Sequence, residues 1–206
     1  MEGLNNRFGG HRPSRRTVAA GAAWTLPAIT FAQPAPAAAC SLNCATLPSF
    51  SGAGWTLVQT GTTVQGSGVS QFTGGNWNTS KDAELSTTYT AAATTKVGIR
   101  LLEGCTYTFT LPYRMVTWNA LPMTGGISIA PTEASLPTPT EIASTATTTL
   151  TKPNYLYGTA TYQFTPAATG DYIVRLTNSI TSTETESQGD DLLWYPVQVS
   201  CGHVGP

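Results

Sequence analysis

Strict alternation of apolar and hydroxyl side chains is the feature that most constrains how this chain can fold. In Cys105–Leu111 every odd-numbered residue is apolar and every even-numbered residue is Thr. Successive side chains of a β-strand point to opposite faces, so such a segment buries one side and leaves the other in water. No long stretch of the sequence has the 3.6-residue apolar period of an amphipathic helix. The chain is therefore predicted to be all-β.

Further strands are predicted between turn signals along the chain. Thr159–Thr165 and Tyr172–Thr177 alternate clearly, and the Pro- and Gly-containing turn between them favours neighbouring antiparallel partners. A last strand, Leu192–Val199, contains Pro196, which indicates a sheet edge or a bulge. The remaining predicted strands are Trp55–Gln59, Ala83–Tyr89, Lys96–Leu102, Tyr113–Trp118, Gly126–Ala130 and Thr145–Thr151. Short strands at this spacing predict a two-sheet antiparallel β-sandwich.

One segment, Pro131–Pro153, is dense in Thr, Ser and Pro and poor in large apolar residues. Its first half is predicted to be a loop over a sheet. The Thr145–Thr151 run within it is predicted to be an exposed edge strand, because Thr has a high β-propensity.

Residues 1–39 are predicted to be an export signal. Arg15 and Arg16 stand in a basic leader, a mildly apolar stretch covers Val18–Phe31, and the small-residue tail Gln33–Ala39 follows. The apolar stretch is too short to span a bilayer comfortably. The paired arginines resemble the twin-arginine translocation signal, which exports folded proteins.

The processing site leaves alternatives open. Small residues at the two required positions allow cleavage after Ala37 or after Ala39. Lipidation of Cys40, as in bacterial lipoproteins, is a further alternative. Any of these leaves a secreted or cell-surface domain that begins at residue 38 or 40.

Residues 40–206 suffice for one domain with a proper core. They hold six basic and ten acidic side chains, whereas the leader holds four basic ones. This mildly acidic balance excludes a phosphate-tracking surface, so nucleic acid is not expected as a partner. No segment of residues 40–206 is long and apolar enough to cross a membrane.

All four cysteines, Cys40, Cys44, Cys105 and Cys201, lie beyond the predicted leader. An even count in an exported chain predicts two disulfides. A zinc site is disfavoured, since His203 is the one histidine near these cysteines. Of the three possible pairings, we favour those that tie the two N-terminal cysteines to Cys105 and Cys201, because long closed loops restrict the unfolded chain most.

Three segments resemble the galactose-binding-like jelly-roll β-sandwiches of many bacterial carbohydrate-binding modules. Phe50–Trp55 is similar to their glycine–tryptophan entry into an early strand. Leu102–Phe109 is similar to their Leu-x-Gly-x-x-Tyr-x-Phe central strand. Phe164–Val199 is similar to their closing strands, with an Asp pair before the last one. The resemblance implies a jelly-roll fold and a binding role rather than catalysis.

Aromatic residues are the candidate glycan contacts, because exposed rings stack on the apolar faces of sugars. Trp77 is the first candidate, since it is predicted in a loop with Asn76 and Asn78, whose amides can bond to sugar hydroxyls. Trp118 is the second candidate. Core packing is expected for Trp55 and Trp194.

A structural calcium ion is implied by the resemblance at Asp190 and Asp191, since carboxylate oxygens are the ligands that calcium prefers. The alternative is a simple turn at these residues. No other cofactor is expected.

Catalysis is the remote alternative. His203 is the single histidine after the leader and lies three residues from the end, a poor place to hold a base in register. A glycan-active carboxylate pair would combine Asp82 or Glu84 with Asp190 or Asp191.

These patterns together predict an exported, non-catalytic surface or secreted binding module for an extracellular glycan or a cell-wall polymer. A structural or adhesive cell-envelope protein without a small ligand is the alternative hypothesis. No catalytic residues are assigned.

Replacing both Arg15 and Arg16 with Lys is expected to retain the precursor in the cytoplasm, because a receptor recognises the arginine pair and not simply its charge. Cell fractionation followed by immunoblotting measures this. Normal export of the double variant would contradict the assignment.

Overall fold

The computed structural model describes Cys40 and residues 44–51, 53–61, 70–81, 90–117, 122–145, 154–181 and 190–203. These residues belong to one unit of the chain, Pro34–Pro206. They form one 3-10 turn, Glu133–Ser135, and eleven strands: β1 (Thr56–Gly61), β2 (Ser70–Thr73), β3 (Asn76–Lys81), β4 (Thr90–Leu101), β5 (Cys105–Thr117), β6 (Met123–Ala130), β7 (Thr140–Ser144), β8 (Asn154–Phe164), β9 (Gly170–Thr181), β10 (Asp190–Trp194) and β11 (Gln198–His203).

The strands form two antiparallel sheets. One is five-stranded, in the order β1–β4–β9–β6–β7. In the six-stranded sheet, β5 pairs with β8 along one edge and with β10 and β11 along the other, and β3 and β2 follow beyond β10. From β3 to β6 and from β7 to β10, successive strands alternate between the sheets, as in a jelly roll. The predicted two-sheet antiparallel β-sandwich is confirmed. Among the described residues, no helix has the length and apolarity that a membrane crossing needs.

The inward face of β5 has the alternation expected from its sequence. Cys105, Tyr107, Phe109 and Leu111 are all buried, and the threonines between them are only partly covered. The expected core positions of Trp55 and Trp194 are also confirmed, because both side chains are buried between the sheets.

The two strands predicted on either side of Pro112 form one strand, β5. A proline has no N–H to donate to a neighbouring strand. Pro112 lies where the partner along one edge changes from β11, which pairs with Cys105–Thr110, to β10, which pairs with Tyr113–Val116. Its carbonyl accepts a hydrogen bond from the Tyr195 N–H at 3.0 Å. The proline therefore stands at a break in the ladder, and the strand continues through it.

The prediction that β8 and β9 are neighbouring partners is wrong. β8 pairs with β5, whereas β9 lies between β4 and β6 in the other sheet. The connection crosses between the sheets, and the Tyr172 hydroxyl donates to the Ala168 carbonyl at 2.9 Å within it. The Phe164 and Tyr172 rings meet edge to face, with centroids 5.5 Å apart. Each strand has one apolar face, and strands in facing sheets bury those faces together.

Two other strand boundaries differ from prediction. The last predicted strand is divided into β10 and β11, with Pro196 in the gap, because proline interrupts the ladder. In the Thr-rich segment, residues 131–139 form the predicted loop, and β7 is an edge strand that was not predicted, just before Thr145–Thr151. Residues 146–153, and the predicted strand Ala83–Tyr89, lie outside the described residues.

A buried hydrogen-bonded chain links the two sheets. Asn178 of β9 accepts from the Trp194 indole N–H at 2.5 Å and donates to the Thr79 hydroxyl at 2.9 Å. The Thr79 hydroxyl lies 3.1 Å from the Ser70 hydroxyl, which accepts from the Trp77 indole N–H at 2.7 Å. All five side chains are buried, so each polar group needs the partner that the next one supplies.

Two disulfides join the chain before β1 to the six-stranded sheet. Cys40 is bonded to Cys105, at the start of β5, and Cys44 is bonded to Cys201 in β11. The predicted number of bridges is confirmed, and so is the preference for tying the N-terminal cysteines to Cys105 and Cys201. The structure selects one of the two pairings that this preference allowed.

Replacing Cys44 and Cys201 together with Ala is expected to lower the free energy of unfolding by about 2–4 kcal/mol, because the bridge closes a long loop in the unfolded chain. Chemical denaturation measures the change. Peptide mapping of the unreduced protein should link Cys40 with Cys105, and thiol titration of the denatured, unreduced protein should find no thiol. A peptide that links Cys40 with Cys201 would contradict the pairing.

Candidate functional site

The outer face of the six-stranded sheet carries a continuous set of polar and aromatic side chains. Because strand side chains alternate, the residues between the buried positions of each strand face outward. We call the following set the tyrosine face: Gln71 of β2, Asn76, Asn78 and Ser80 of β3, Arg114 of β5, Tyr155 and Tyr157 of β8, and Asp191 and Leu193 of β10.

Strand register places five of these side chains in one row across the sheet. Tyr157 is opposite Arg114, Arg114 is opposite Leu193, Leu193 is opposite Asn78, and Asn78 is opposite Gln71. Adjacent strands lie about 4.8 Å apart, so the row spans about 19 Å. The row is therefore extended, with one side chain from each of five strands.

Two exposed tyrosines dominate one end of this row. Tyr155 is 51% exposed and Tyr157 is 63% exposed. They stand two residues apart on β8, so both rings project from the same face, about 7 Å from each other along the strand. Within the described part of the chain, neither ring packs on another aromatic ring and neither hydroxyl has a hydrogen-bond partner. Burial of a tyrosine ring is favourable, so two tyrosine rings that face water on one strand are unusual.

Two polar atoms of the same row have no hydrogen-bond partner among the described residues. These are Asn78 Oδ1 and Arg114 Nε, the two such buried side-chain atoms found among the described residues. The other amide atom of Asn78, Nδ2, donates to the Ser80 hydroxyl at 2.7 Å. A buried polar atom without a partner costs about 1–3 kcal/mol. This cost makes the row a place where added hydrogen bonds would be stabilising.

The prediction that Trp77 projects from a loop is wrong. Residues Asn76–Lys81 form β3, and the Trp77 side chain is 0% exposed, with its indole N–H donating to the Ser70 hydroxyl. Gly74 and Gly75 have φ values of 59° and 82°, as a two-residue hairpin turn requires. This Gly-Gly pair was the signal for a hairpin, and a strand that begins directly after it turns Trp77 inward.

The other predicted glycan contacts have different outcomes. Asn76 and Asn78 flank Trp77 on β3, so both face outward on the tyrosine face and are half-buried. Trp118 lies outside the described residues. The exposed tyrosines were not among the predicted contacts, although the alternation of Tyr155 and Tyr157 with Leu156 was the available signal.

The predicted calcium ligands are not brought together. Burial alternates along β10, so Asp190 is buried between the sheets while Asp191 lies on the tyrosine face. Across the residues that the structure describes, no group of three or more His, Cys, Asp or Glu side chains could hold a metal ion. Of the carboxylates considered for catalysis, Asp82 and Glu84 lie outside the described residues.

A cavity of about 500 Å³ lies on the side of the five-stranded sheet, against β4. Its lining includes Arg100, which pairs at 3.3 Å with Asp171, both largely exposed. The lining residues are Ala45, Thr46, Gly98, Ile99, Arg100 and Leu102. With no aromatic ring and a cation that already has a partner, this cavity is a weaker candidate than the tyrosine face.

Solved structures of carbohydrate-binding domains are similar to this chain at low identity. A CBM4 structure has a TM-score of 0.39 and 13% identity, covering 79% of this chain and 97% of that chain. The CBM22-1 xylan-binding domain from Paenibacillus barcinonensis Xyn10C has a TM-score of 0.38 and 10% identity, covering 77% and 94%. The N-terminal cellulose-binding domain of Cellulomonas fimi beta-1,4-glucanase C has a TM-score of 0.35 and 12% identity, covering 80% and 97%. The xylan and cellulose binding are properties of those proteins.

No protein-family model and no curated protein matches the sequence.

Trp77→Ala is expected to lower the free energy of unfolding by roughly 3–5 kcal/mol, because it empties a core site and removes a buried hydrogen bond. Thermal and chemical denaturation measure the change. Trp55→Ala, another core truncation, should be similarly destabilising, while Tyr157→Ala should unfold like the unmodified protein. A Trp77→Ala protein as stable as Tyr157→Ala would contradict the buried position.

Proposed function

We propose that this protein is an exported, non-catalytic binding module for an extracellular glycan or a cell-wall polymer, and that the tyrosine face is its binding surface. The observation that carries the proposal is the pair of exposed rings, Tyr155 and Tyr157, on one face of an edge strand. Tyr157 lies at the end of the row, and Tyr155 stands about 7 Å from it along β8, so the two rings form one broad aromatic platform at that end.

Aromatic rings suit sugars because the C–H groups of a pyranose form an apolar face of similar size. Stacking removes that face and the ring from water together, and the hydroxyls around the sugar rim stay free for hydrogen bonds. Tyr is well fitted to such a place, because its ring is stiff and its hydroxyl remains at the wet edge. Tyr155 and Tyr157 therefore supply contact area at little cost in side-chain entropy.

Other residues of the tyrosine face supply the polar contacts. Gln71 and Asn78 carry amides and Ser80 a hydroxyl, and these groups both donate and accept hydrogen bonds. A row about 19 Å long fits a segment of a polysaccharide chain better than a single sugar.

A binding role without hydrolysis agrees with the charges on this surface. Glycoside hydrolysis uses two carboxyl groups on either side of one bond. On the described part of the tyrosine face, Asp191 is the one carboxylate, because Asp190 turns into the core.

Export is the second part of the proposal. Two disulfides suit an oxidising compartment outside the cytoplasm. The leader with Arg15 and Arg16 supplies the route, and the two bridges stabilise the domain after export.

Tyr157→Ala and Tyr155→Ala are each expected to weaken glycan binding about 5- to 150-fold, the loss of one stacked ring at an interface. A glycan array with the exported, oxidised protein identifies a ligand, and calorimetry measures the dissociation constants. Melting temperatures should be unchanged, because both rings are exposed.

Val58→Ala is the matched control. Val58 is 47% exposed but lies on β1 in the other sheet, so its removal should leave binding unaltered. Binding that survives both tyrosine variants would exclude the tyrosine face as the site, and a protein that binds no glycan on the array would contradict the proposed function.

A further inference from the structure

We propose that the ligand of the tyrosine face is an acidic polysaccharide, and that Arg114 binds the carboxylate of one of its uronic-acid units. This inference rests on the proposed function and names its ligand class. Arg114 is a single cation in an unusual position.

Arg114 differs from the other basic residues whose side chains the structure describes. Lys96 pairs with Glu133, Arg100 pairs with Asp171, and Arg175 donates to the Ser128 hydroxyl and the Pro137 carbonyl. The Arg114 side chain alone among these four has no hydrogen-bond or ion-pair partner within the described part of the chain. It is also half-buried, with Nε covered from solvent.

A half-buried guanidinium without a partner is costly, because it has lost part of its hydration and gained nothing in exchange. An anion restores the balance more fully than a neutral hydroxyl, since hydrogen bonds between charged groups are about twice as strong as neutral ones. A carboxylate matches the planar fork of arginine with two parallel hydrogen bonds. The chemistry of this position therefore favours an anion with two acceptor oxygens, and a carboxylate is one that a sugar unit itself can carry.

The neighbours of Arg114 place that carboxylate on a sugar. Tyr157 is directly opposite Arg114 across the β5–β8 pair. Side chains at such positions have Cβ atoms about 5 Å apart. A sugar ring stacked on Tyr157 thus carries its substituents within reach of the guanidinium. A uronic acid has both groups that this pair of side chains selects, an apolar ring face and a carboxylate.

Asp191 limits how much negative charge the ligand can carry. It lies on the same face, two residues from Leu193, which is the β10 residue opposite Arg114. This diagonal position is about 7–8 Å away, and no ion pair joins the two side chains. A carboxylate at Arg114 is attracted, whereas a second one beside Asp191 is repelled. The face therefore favours a polymer whose acidic units are separated by neutral ones.

The test compares acidic polymers with versions that differ only in charge. Oligogalacturonate, oligoalginate and glucuronoxylan fragments are each measured by calorimetry beside their methyl esters, with dextran sulfate beside dextran as a test of other anions. We expect at least one acidic member to bind more tightly than its ester, and added salt to reduce the difference.

Variants assign the selectivity to named side chains. Arg114→Gln should lower affinity for the acidic member about 10- to 150-fold and leave affinity for its ester nearly unchanged. Asp191→Asn should raise affinity for the most densely charged member about two- to tenfold. Arg100→Gln is the matched control, because it removes one exposed positive charge from the other sheet. Melting curves confirm that each variant is folded.

The outcomes separate this inference from the function on which it rests. Equal binding of acids and esters that still depends on Tyr157 would overturn the acidic ligand while the glycan-binding function stands. Binding of dextran sulfate alone would overturn the carboxylate. Selectivity that Arg114→Gln leaves intact would overturn the role of this residue. A protein that binds neither these polymers nor any member of the array would overturn both proposals.

Discussion

One buried amide holds the two sheets in register. Asn178 of the five-stranded sheet accepts from Trp194 and donates to Thr79, both in the six-stranded sheet. Through Thr79 and Ser70 the chain of hydrogen bonds reaches Trp77. Apolar packing alone tolerates sliding between sheets, but a buried polar group that loses its partner costs about 1–3 kcal/mol. These hydrogen bonds therefore favour one arrangement of β3 and β10 over β9. The same arrangement determines which side chains of β3 and β10 lie on the outer face of the sheet.

The tyrosine face is the reverse side of this core. Tyr113, Trp194 and Trp77 are paired across three strands and point inward. Their chain neighbours Arg114, Leu193 and Asn78 consequently form the outer row. A shift of one residue in any of these strands would exchange the two faces. The strand register that buries the aromatic rings is thus the same one that brings an arginine and an amide into one row on the outer face. One strand register therefore determines both the packing of the core and the order of side chains in the outer row.

The covalent bonds act on the same sheet. Cys105 begins β5 and Cys201 lies in β11 beside it, so both bridges anchor the N-terminal segment to neighbouring strands. The turn before Cys105 is short enough to need Gly104 at a φ of 74°. All residues of the tyrosine face lie on strands and none on loops. Side chains on strands are held in more precise positions than side chains on loops.

The sequence by itself determined the class of fold and much of the core. Alternation along Cys105–Leu111 identified the buried side of β5, and the cysteine count predicted two bridges. Such patterns are local, because the two-residue period of a strand is visible within a few positions. It did not determine the partners of β8 and β9, the orientation of Trp77, or the row that joins Asn78, Arg114 and Leu193. Those residues are far apart in the chain, and no local pattern encodes which strands become neighbours. Only the packing of one sheet on the other decided them, because burial of the apolar faces and of the Asn178 amide selects a single pairing and register.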